Sequence, residues 1–380
     1  MGLRAVKLDI FRTAIPMRGF EHAAARRDLA EAIVTRVELS DGRCGWGETL
    51  PRSYVTGETL DTVAADLESL FWPAVAVADL SGGEFPVLSI AAPGQRCINA
   101  AACAMELALA DAMLDHGGWA RLGGGGLSAR IVARATGVLG SSDPRKTARK
   151  LRLMRWFGLR DFKLKLGFSP EVDQANLAAV AGQLGRALAA GRCSLRVDIN
   201  GGWTAADTPA KAERLGQLGV CVVEQPVYCG AKGLAELARR CPLPLMADES
   251  LLSEADARDL LTAGAKVWWN IRLSKNGGLR RSLALARLAA DNGVPFVLGC
   301  MVGESSILSA AQRRLLQLSP PPRFVEGNYG RFLMGDDLAG RSLRFGYGGR
   351  LKPLEGRGLG VEISPAKLAR YGRRVASLTG

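Results

Sequence analysis

Histidine is nearly absent from this 380-residue chain: only His22 and His116 occur. That excludes a metal centre built from several imidazoles and makes a Ser-His-Asp system a poor candidate. The eight cysteines, Cys44, Cys97, Cys103, Cys193, Cys221, Cys229, Cys241 and Cys300, include no CxxC pair and no metal-ligand spacing. They read as buried, reduced thiols. No apolar run reaches the roughly eighteen residues a membrane span needs. The N-terminal MGLRAVKLDIFRTAIPM alternates like a strand and lacks a signal-peptide core. A cytoplasmic chain with no membrane partner is expected. Lysine is scarce too, eleven of the 50 basic residues, so any clustering of it carries information. The formal charge of +13 is spread along the chain rather than gathered into runs with interleaved aromatics, which argues against a nucleic-acid partner. It suits the steering of anionic substrates, or reflects an Arg-rich proteome.

What is present is ordinary globular composition, 48% hydrophobic and 23% charged, at a length that suits two domains or one large α/β barrel with an attachment. Residues 1 to about 85 begin with two alternating strands, the second carrying an Asp-Gly turn signal. NAAACAMELALADAM, from residue 99, is a strong helix with Asn99 as its expected N-cap. After GGGG at 123–126 a rhythm sets in. Short apolar strands recur (ARIVARATGV, DFKLKLGF, CSLRVDIN, VCVVEQP, LPLMADES, VWWNIRLSK, VPFVLGCM, RFVEGN) with helical patterns between them. Eight βα steps of that kind predict a TIM-type barrel. The expected division is a capping domain over 1–125, a barrel over 126–335, and a Gly-rich, strand-like segment over 336–380 that returns to the cap.

Barrel chemistry sits at the C-terminal ends of the strands. There the chain places Asp198, Glu224 and Asp248, followed by Asn270, Gly299 and Glu326, at steps of 22 to 29 residues. Any one of these acids alone would read as a helix cap. Three carboxylates converging on consecutive strand ends repel one another unless a cation joins them, and hard oxygen donors suit Mg²⁺. Lys163 and Lys165 point inward from the second strand. On the sixth strand, the run from Asn270 to Lys275 places Lys275 on the far side of an eight-stranded ring. Such lysines either neutralise the acids or, with pKa values depressed by burial and neighbouring cations, act as bases.

KLK, VDINGGW, VEQP, ADES, NIRLSKNGG and GCMVGES, with GWGETLP and NAAACAMELALADAM earlier, come in an order that resembles the enolase superfamily, in its muconate-cycloisomerase-like subgroup (the mandelate racemase/muconate lactonizing enzyme family). The resemblance spans almost the whole chain. It implies an α+β capping domain, completed by the C-terminal segment, over a (β/α)7β barrel. It implies Mg²⁺ (with Mn²⁺ a possible substitute) on Asp198, Glu224 and Asp248, with Lys165 and Lys275 as the acid/base pair. Lys163 would tune Lys165, and Asn200 would support the metal site. The implied reaction is removal of the proton α to a carboxylate through an enediolate, giving a racemase, epimerase or cycloisomerase of a small carboxylate. A lyase of the same superfamily, by syn-dehydration, is the second reading, and a non-enzymatic nucleic-acid-binding or scaffolding role the third. The branch that uses a His–Asp pair is disfavoured by the lack of histidine.

Substrate contacts are expected from Asn270, Arg272, Cys300 and Glu326 at the barrel mouth, and from Tyr54, with Arg52, in the cap. His22 falls in the stretch that matches the family's capping loop. Dipeptide epimerases of this family carry D-x-D after the last strand, where this chain has Glu326-Gly327-Asn328. Trp268 and Trp269 read as core. Enzymes of this family commonly form homo-oligomers, and one is expected here.

Overall fold

The alternation at the N-terminus is a sheet. The structure, a computed structural model, describes residues 2–22, 25–83, 87, 94, 96–264 and 267–380, with the side chains of 19–26 outside that description. Strands β1 (Ala5–His22), β2 (Ala25–Leu39) and β3 (Cys44–Thr49) pair antiparallel. The Asp-Gly signal is realised at Gly42 (φ 83°), whose N–H reaches the Leu39 carbonyl at 2.9 Å. Helix Asn99–Met113 lies across this sheet and buries almost every side chain. It comes close because β3 presents Gly45 and Gly47 to it. A Cβ on Gly47 would stand 1.9 Å from the Ala104 carbonyl oxygen, and one on Gly45 would stand 2.2 Å from that of Ala108.

Asn99 does not cap that helix. It is the first helical residue, after Ile98, and the Glu58 carboxylate takes the N–H groups of Ala100 and Ala101 (2.8 and 3.3 Å). A carboxylate brought by the fold has displaced the local cap.

The barrel follows in chain order: β4 (Gly137–Leu139), β5 (Asp161–Lys165), β6 (Ser194–Asp198), β7 (Val220–Glu224), β8 (Leu245–Ala247), β9 (Val267–Ile271), β10 (Phe296–Leu298) and β11 (Phe324–Val325). Neighbours pair in parallel along that whole series. The ring closes where Ala135 bridges Val325 and the Thr136 N–H meets the Val325 carbonyl at 2.8 Å. Each strand from β4 to β10 is followed by an outer helix, from Pro144–Trp156 to Ser306–Leu318. This is the expected (β/α)7β barrel under an N-terminal antiparallel cap. Its floor is apolar, with Val222, Met246, Val297 and Phe324 buried together and Trp268 stacked on Phe324. Trp269 is fully buried and Trp268 is half-buried against that floor, so both pack as core residues. Period-2 alternation then stacks charged side chains above that floor.

Two expectations need correction. Residues 344–364 are not a strand pairing with the cap. They make isolated bridges and loop bonds, some to the barrel (Ala135 N–H to the Gly349 carbonyl, 2.8 Å) and some to the cap helix (Leu359 N–H to Asp111, 2.7 Å). Positive-φ glycines such as Gly348 and Gly349 break any run of strand. The strand that completes the capping sheet is β12 (Gly372–Thr379), antiparallel to β1. The cysteines are all unpaired, but only Cys103 and Cys300 are buried and the other six are half-buried. No helix among the described residues is long and apolar enough to cross a membrane.

Cap and barrel meet through buried carboxylates. Glu48 accepts from the Ser305 N–H (3.0 Å), the Ser305 hydroxyl (2.7 Å) and the Leu308 N–H (3.1 Å), so a cap residue caps a barrel helix. Burial pushes the Glu48 pKa up from 4.5 to about 7, against those hydrogen bonds. Between those two values the fold keeps a proton that the unfolded chain releases, so stability falls as pH rises through that window. Glu48→Gln is expected to remove up to ~1.4 kcal/mol per pH unit of that slope, read from urea midpoints between pH 4.5 and 8. An unchanged slope places the proton elsewhere. Gly47→Ala is expected to cost ~1–3 kcal/mol by overpacking, seen as a lower urea midpoint at unchanged m-value.

Candidate active site

Strand register brings the charged residues to one level. Lys165 of β5 pairs with Asp198 of β6, and Asp198 with Glu224 of β7. Asp248 stands just beyond β8, where Gln225 holds its backbone: the Asp248 and Ser250 N–H groups both donate to Gln225 Oε1, at 2.9 and 3.1 Å. Gln225 itself takes a positive φ of 35°, which turns the chain at this strand end. The three carboxylates are fully buried.

Each carboxylate is turned onto cations. Lys165 Nζ donates to Asp198 Oδ2 at 2.9 Å and to Asn200 Oδ1 at 3.2 Å. Lys163 Nζ sits 3.3 Å from Asp198, 3.2 Å from Glu224 and 2.7 Å from Glu326. Arg272 reaches Glu224 at 3.3 Å and pairs closely with Asp248. Lys275 Nζ lies 3.1 Å from Asp248 Oδ1 and donates to the carbonyls of Asp248 (2.6 Å) and Asn270 (2.7 Å). The Asn270 amide adds a bond to Glu224 at 2.9 Å.

These contacts set the protonation states. Burial works against the Lys163 ammonium, but Glu224, Glu326 and Asp198 outweigh it and raise its pKa well above the ordinary value. Burial would raise Asp198, yet Lys165 and Lys163 hold it below the usual carboxylate range. Glu224 is pushed up to about 7 by burial, against Lys163 and with repulsion from Asp198. Burial lowers Lys275, only partly offset by Asp248. Lys163 and Lys275 therefore differ: Lys163 is a fixed cation, whereas burial loosens the proton on Lys275.

Lys275 is not on the sixth strand. Strand β9 ends at Ile271, and Lys275 rides the single helical turn Leu273–Asn276, closed by Gly277 at φ 83°. The cap holds this turn. The Asn99 amide donates to the Lys275 carbonyl at 2.8 Å, Thr49 and Ser274 hydroxyls meet at 2.6 Å, and the Leu50 N–H donates to Ser274 at 3.1 Å.

The expected convergence of three acids is also modified. Among the described residues no three His, Cys, Asp or Glu side chains gather on one point at metal-ligand distance. Paired cations draw the carboxylates apart, since each buried anion takes its nearest countercharge. The donor set still fits a hard divalent ion. Both oxygens of Glu249 are buried without a hydrogen-bond donor, and Asp248 Oδ1 has the Lys275 ammonium at 3.1 Å as its neighbour, which leaves acceptor capacity beside the strand ends. Glu224 and Asp248 already share positive charge, from Arg272.

Glu326 and Cys300 join the cluster, lining with Lys163, Lys165, Arg272 and Tyr329 a cavity of about 40 Å³. Glu326 is spent on Lys163 and on Arg196 at 3.0 Å, rather than presented as a lone contact. Arg52 is buried and donates to the carbonyls of Pro51 (2.8 Å), Glu31 (3.3 Å) and Val302 (3.3 Å), so it fastens cap to barrel. Tyr54, exposed on helix Ser53–Thr56 of the cap, lies within electrostatic reach of Tyr228 on the barrel. The His22 side chain lies outside the described residues, and His116 is exposed on its helix.

Three residues went unread in the sequence. Arg196 is fully buried under Glu326, with its guanidinium 4.3 Å over the Phe324 ring; it lies two residues before Asp198, so strand alternation was signal enough. Glu249 and Gln225 each follow a strand-end acid and had no such signal, because their directions depend on turns.

A (β/α)7β barrel with buried lysines and carboxylates at its C-terminal mouth, under an antiparallel cap, defines the class as a capped TIM-barrel protein. The chain belongs to the enolase superfamily, in its mandelate racemase/muconate lactonizing branch: the family described as enolase C-terminal domain-like matches residues 146–367. It is 30% identical over 317 residues to the N-succinyl-L-Arg/Lys racemase of Bacillus cereus, covering 81% of this chain and 83% of that one. It is 30% identical over 349 residues to muconate cycloisomerase 1 of Rhodococcus opacus, covering 87% and 88%. The crystal structure of 2-chloromuconate cycloisomerase from Rhodococcus opacus 1CP superposes with a TM-score of 0.84 at 25% identity, covering 97% of this chain and all of that one.

Arg196→Met removes one partner of a buried ion pair and leaves Glu326 with Lys163 alone. It is expected to cost ~3–5 kcal/mol of stability by urea unfolding, and Arg196→Met combined with Glu326→Gln is expected to recover part of that loss.

Proposed function

We propose that the barrel mouth removes the proton α to a substrate carboxylate and returns one, with Lys165 and Lys275 as the acid/base pair on opposite faces. The product is an isomer: a racemised or epimerised amino-acid derivative, or the cycloisomer of a muconate-like acid. The observation that carries this reading is the placement of two buried amines against the first and third strand-end carboxylates, Lys165 on Asp198 and Lys275 on Asp248. Burial that lowers the Lys275 pKa raises its share of free amine, as a base near neutral pH requires.

Asp198, Glu224 and Asp248 would hold Mg²⁺, or Mn²⁺ in its place. When bound, such an ion supplies electrostatic stabilisation where negative charge develops on the substrate carboxylate. Lys163, fixed as a cation, adds positive potential beside Lys165. Asn200 orients the Lys165 amine, and Asn270 holds Glu224. Arg272 offers a planar guanidinium to an anionic substrate. Because Glu326 is committed to Lys163 and Arg196, no carboxylate of the expected D-x-D kind is free to grip a substrate ammonium. That favours N-acylated amino acids and dicarboxylates over free-amine dipeptides, in keeping with the relatives named above. The same residues could run a syn-elimination, but those relatives are isomerases.

The test is proton exchange in D₂O against N-acyl amino acids, dipeptides and cyclic amino acids. Deuterium at the α-carbon with inversion is expected, and irreversible loss of water would make the protein a lyase. Lys165→Ala and Lys275→Ala should each slow exchange by ~10²–10⁴-fold while Mg²⁺ still raises the melting temperature. Loss of the Mg²⁺ effect in both variants would make the lysines counter-ions and sink the assignment.

A further inference from the structure

Basic residues dispersed in the sequence are gathered by the fold at a place the barrel chemistry does not use. A cleft of about 1100 Å³ is lined by Arg313 of helix Ser306–Leu318 and by the chain between Arg331 and Glu362. Six cations face it (Arg313, Arg331, Arg341, Arg344, Arg350, Lys352) against a single carboxylate, Glu362. It shares no lining residue with the cavity at the barrel mouth. Arg331, Arg341, Arg344, Arg350 and Lys352 are exposed, and among the described residues none of them pairs with a carboxylate.

The framework beneath these cations is fixed. Arg313 is buried and spends its guanidinium on Asn328 Oδ1 (2.6 Å) and on the carbonyls of Arg344 (3.0 Å) and Lys352 (3.3 Å). The backbone that carries two of the free cations, Arg344 and Lys352, is thereby held by the buried Arg313. The loop from Phe345 to Arg350 is tied as well: Gly346 bonds the Arg350 carbonyl, Gly348 that of Phe157 and Gly349 that of Gly346. Those N–H groups are spent, so a ligand here would be held by side chains.

Concentrating unpaired cations in one concavity costs self-repulsion and produces a strong positive potential that draws anions. Guanidinium forks match phosphate oxygens two at a time. Tyr347 packs against Phe157 at 5.7 Å and against Gly158, yet remains 61% exposed beside these arginines. An aromatic ring supported from below and open above is a stacking platform for a base. The volume is that of a small-molecule site rather than a flat contact.

We propose that this cleft binds a nucleoside polyphosphate, with the phosphates on Arg341, Arg344, Arg350 and Lys352 and the base on Tyr347. The test is isothermal titration of the 380-residue chain, with Mg²⁺ saturating, by ATP, inorganic tripolyphosphate and a single-stranded oligonucleotide. ATP is expected to bind one saturable site, weakening as salt is raised, with tripolyphosphate about tenfold weaker for want of a stacked base. Arg341→Ala combined with Arg350→Ala, and separately Tyr347→Leu, should each weaken ATP binding at least ~tenfold at unchanged melting temperature. Absence of saturable ATP binding, or ATP affinity unchanged in the arginine double variant, overturns the site. Equal affinity for tripolyphosphate and ATP overturns the placement of the base. Tighter binding of the oligonucleotide than of ATP would reassign the cleft to nucleic acid.

Discussion

The interior of this barrel is governed by the cost of burying charge. Lys163, Lys165, Arg196, Arg272 and Lys275 share a nearly dry space with Asp198, Glu224, Asp248 and Glu326. No single member is tolerable without the others, because an unpaired buried ion costs several kcal/mol. The pairs are graded in depth. At the bottom, Arg196 and Lys163 close on Glu326 and fix both charges. Toward the mouth the partners are Lys165 with Asp198 and Lys275 with Asp248, and there burial leaves Lys275 with less to hold it as a cation. Pairing below supports usable chemistry above.

The cap is part of the same arrangement. Lys275 lies on a single turn of helix that could not hold its own geometry, since one turn lacks the cooperativity of a longer helix. Asn99, Thr49 and Leu50 fasten that turn from the cap, while Glu48 and Glu106 cap barrel helices through Ser305 and Arg280. The glycines of GWGE let the Asn99–Met113 helix approach the sheet closely enough to make those bonds. A motif that carries family resemblance in the sequence thus acts through packing.

Much of the site was legible before the fold. The acids at Asp198, Glu224 and Asp248 follow from the βα step and Lys163 and Lys165 from strand alternation, whereas Lys275, read onto the sixth strand, lies on the helical turn after it. Arg196 could have been read by the same rule. The turn residues Gln225 and Glu249 could not: their directions depend on turns, Gln225 at positive φ, that no periodicity encodes, while Asn200, also at positive φ, was read only through the family resemblance. Asn99 was assigned to its own helix because its local pattern is that of a cap; a distant Glu58 took that place and freed it for Lys275.

The sequence by itself determined the order of eight strands, the inward face of each and hence which charges enter the barrel, because a two-residue period and the 22- to 29-residue step are local properties. Tertiary structure decided who pairs with whom. Glu326 went to Lys163 and Arg196 rather than to the mouth, Arg272 went to Glu224 and Asp248, and the scattered arginines of the C-terminal segment came to share one cleft. Electrostatic partners are chosen by distance in space and by desolvation, and neither is written along the chain.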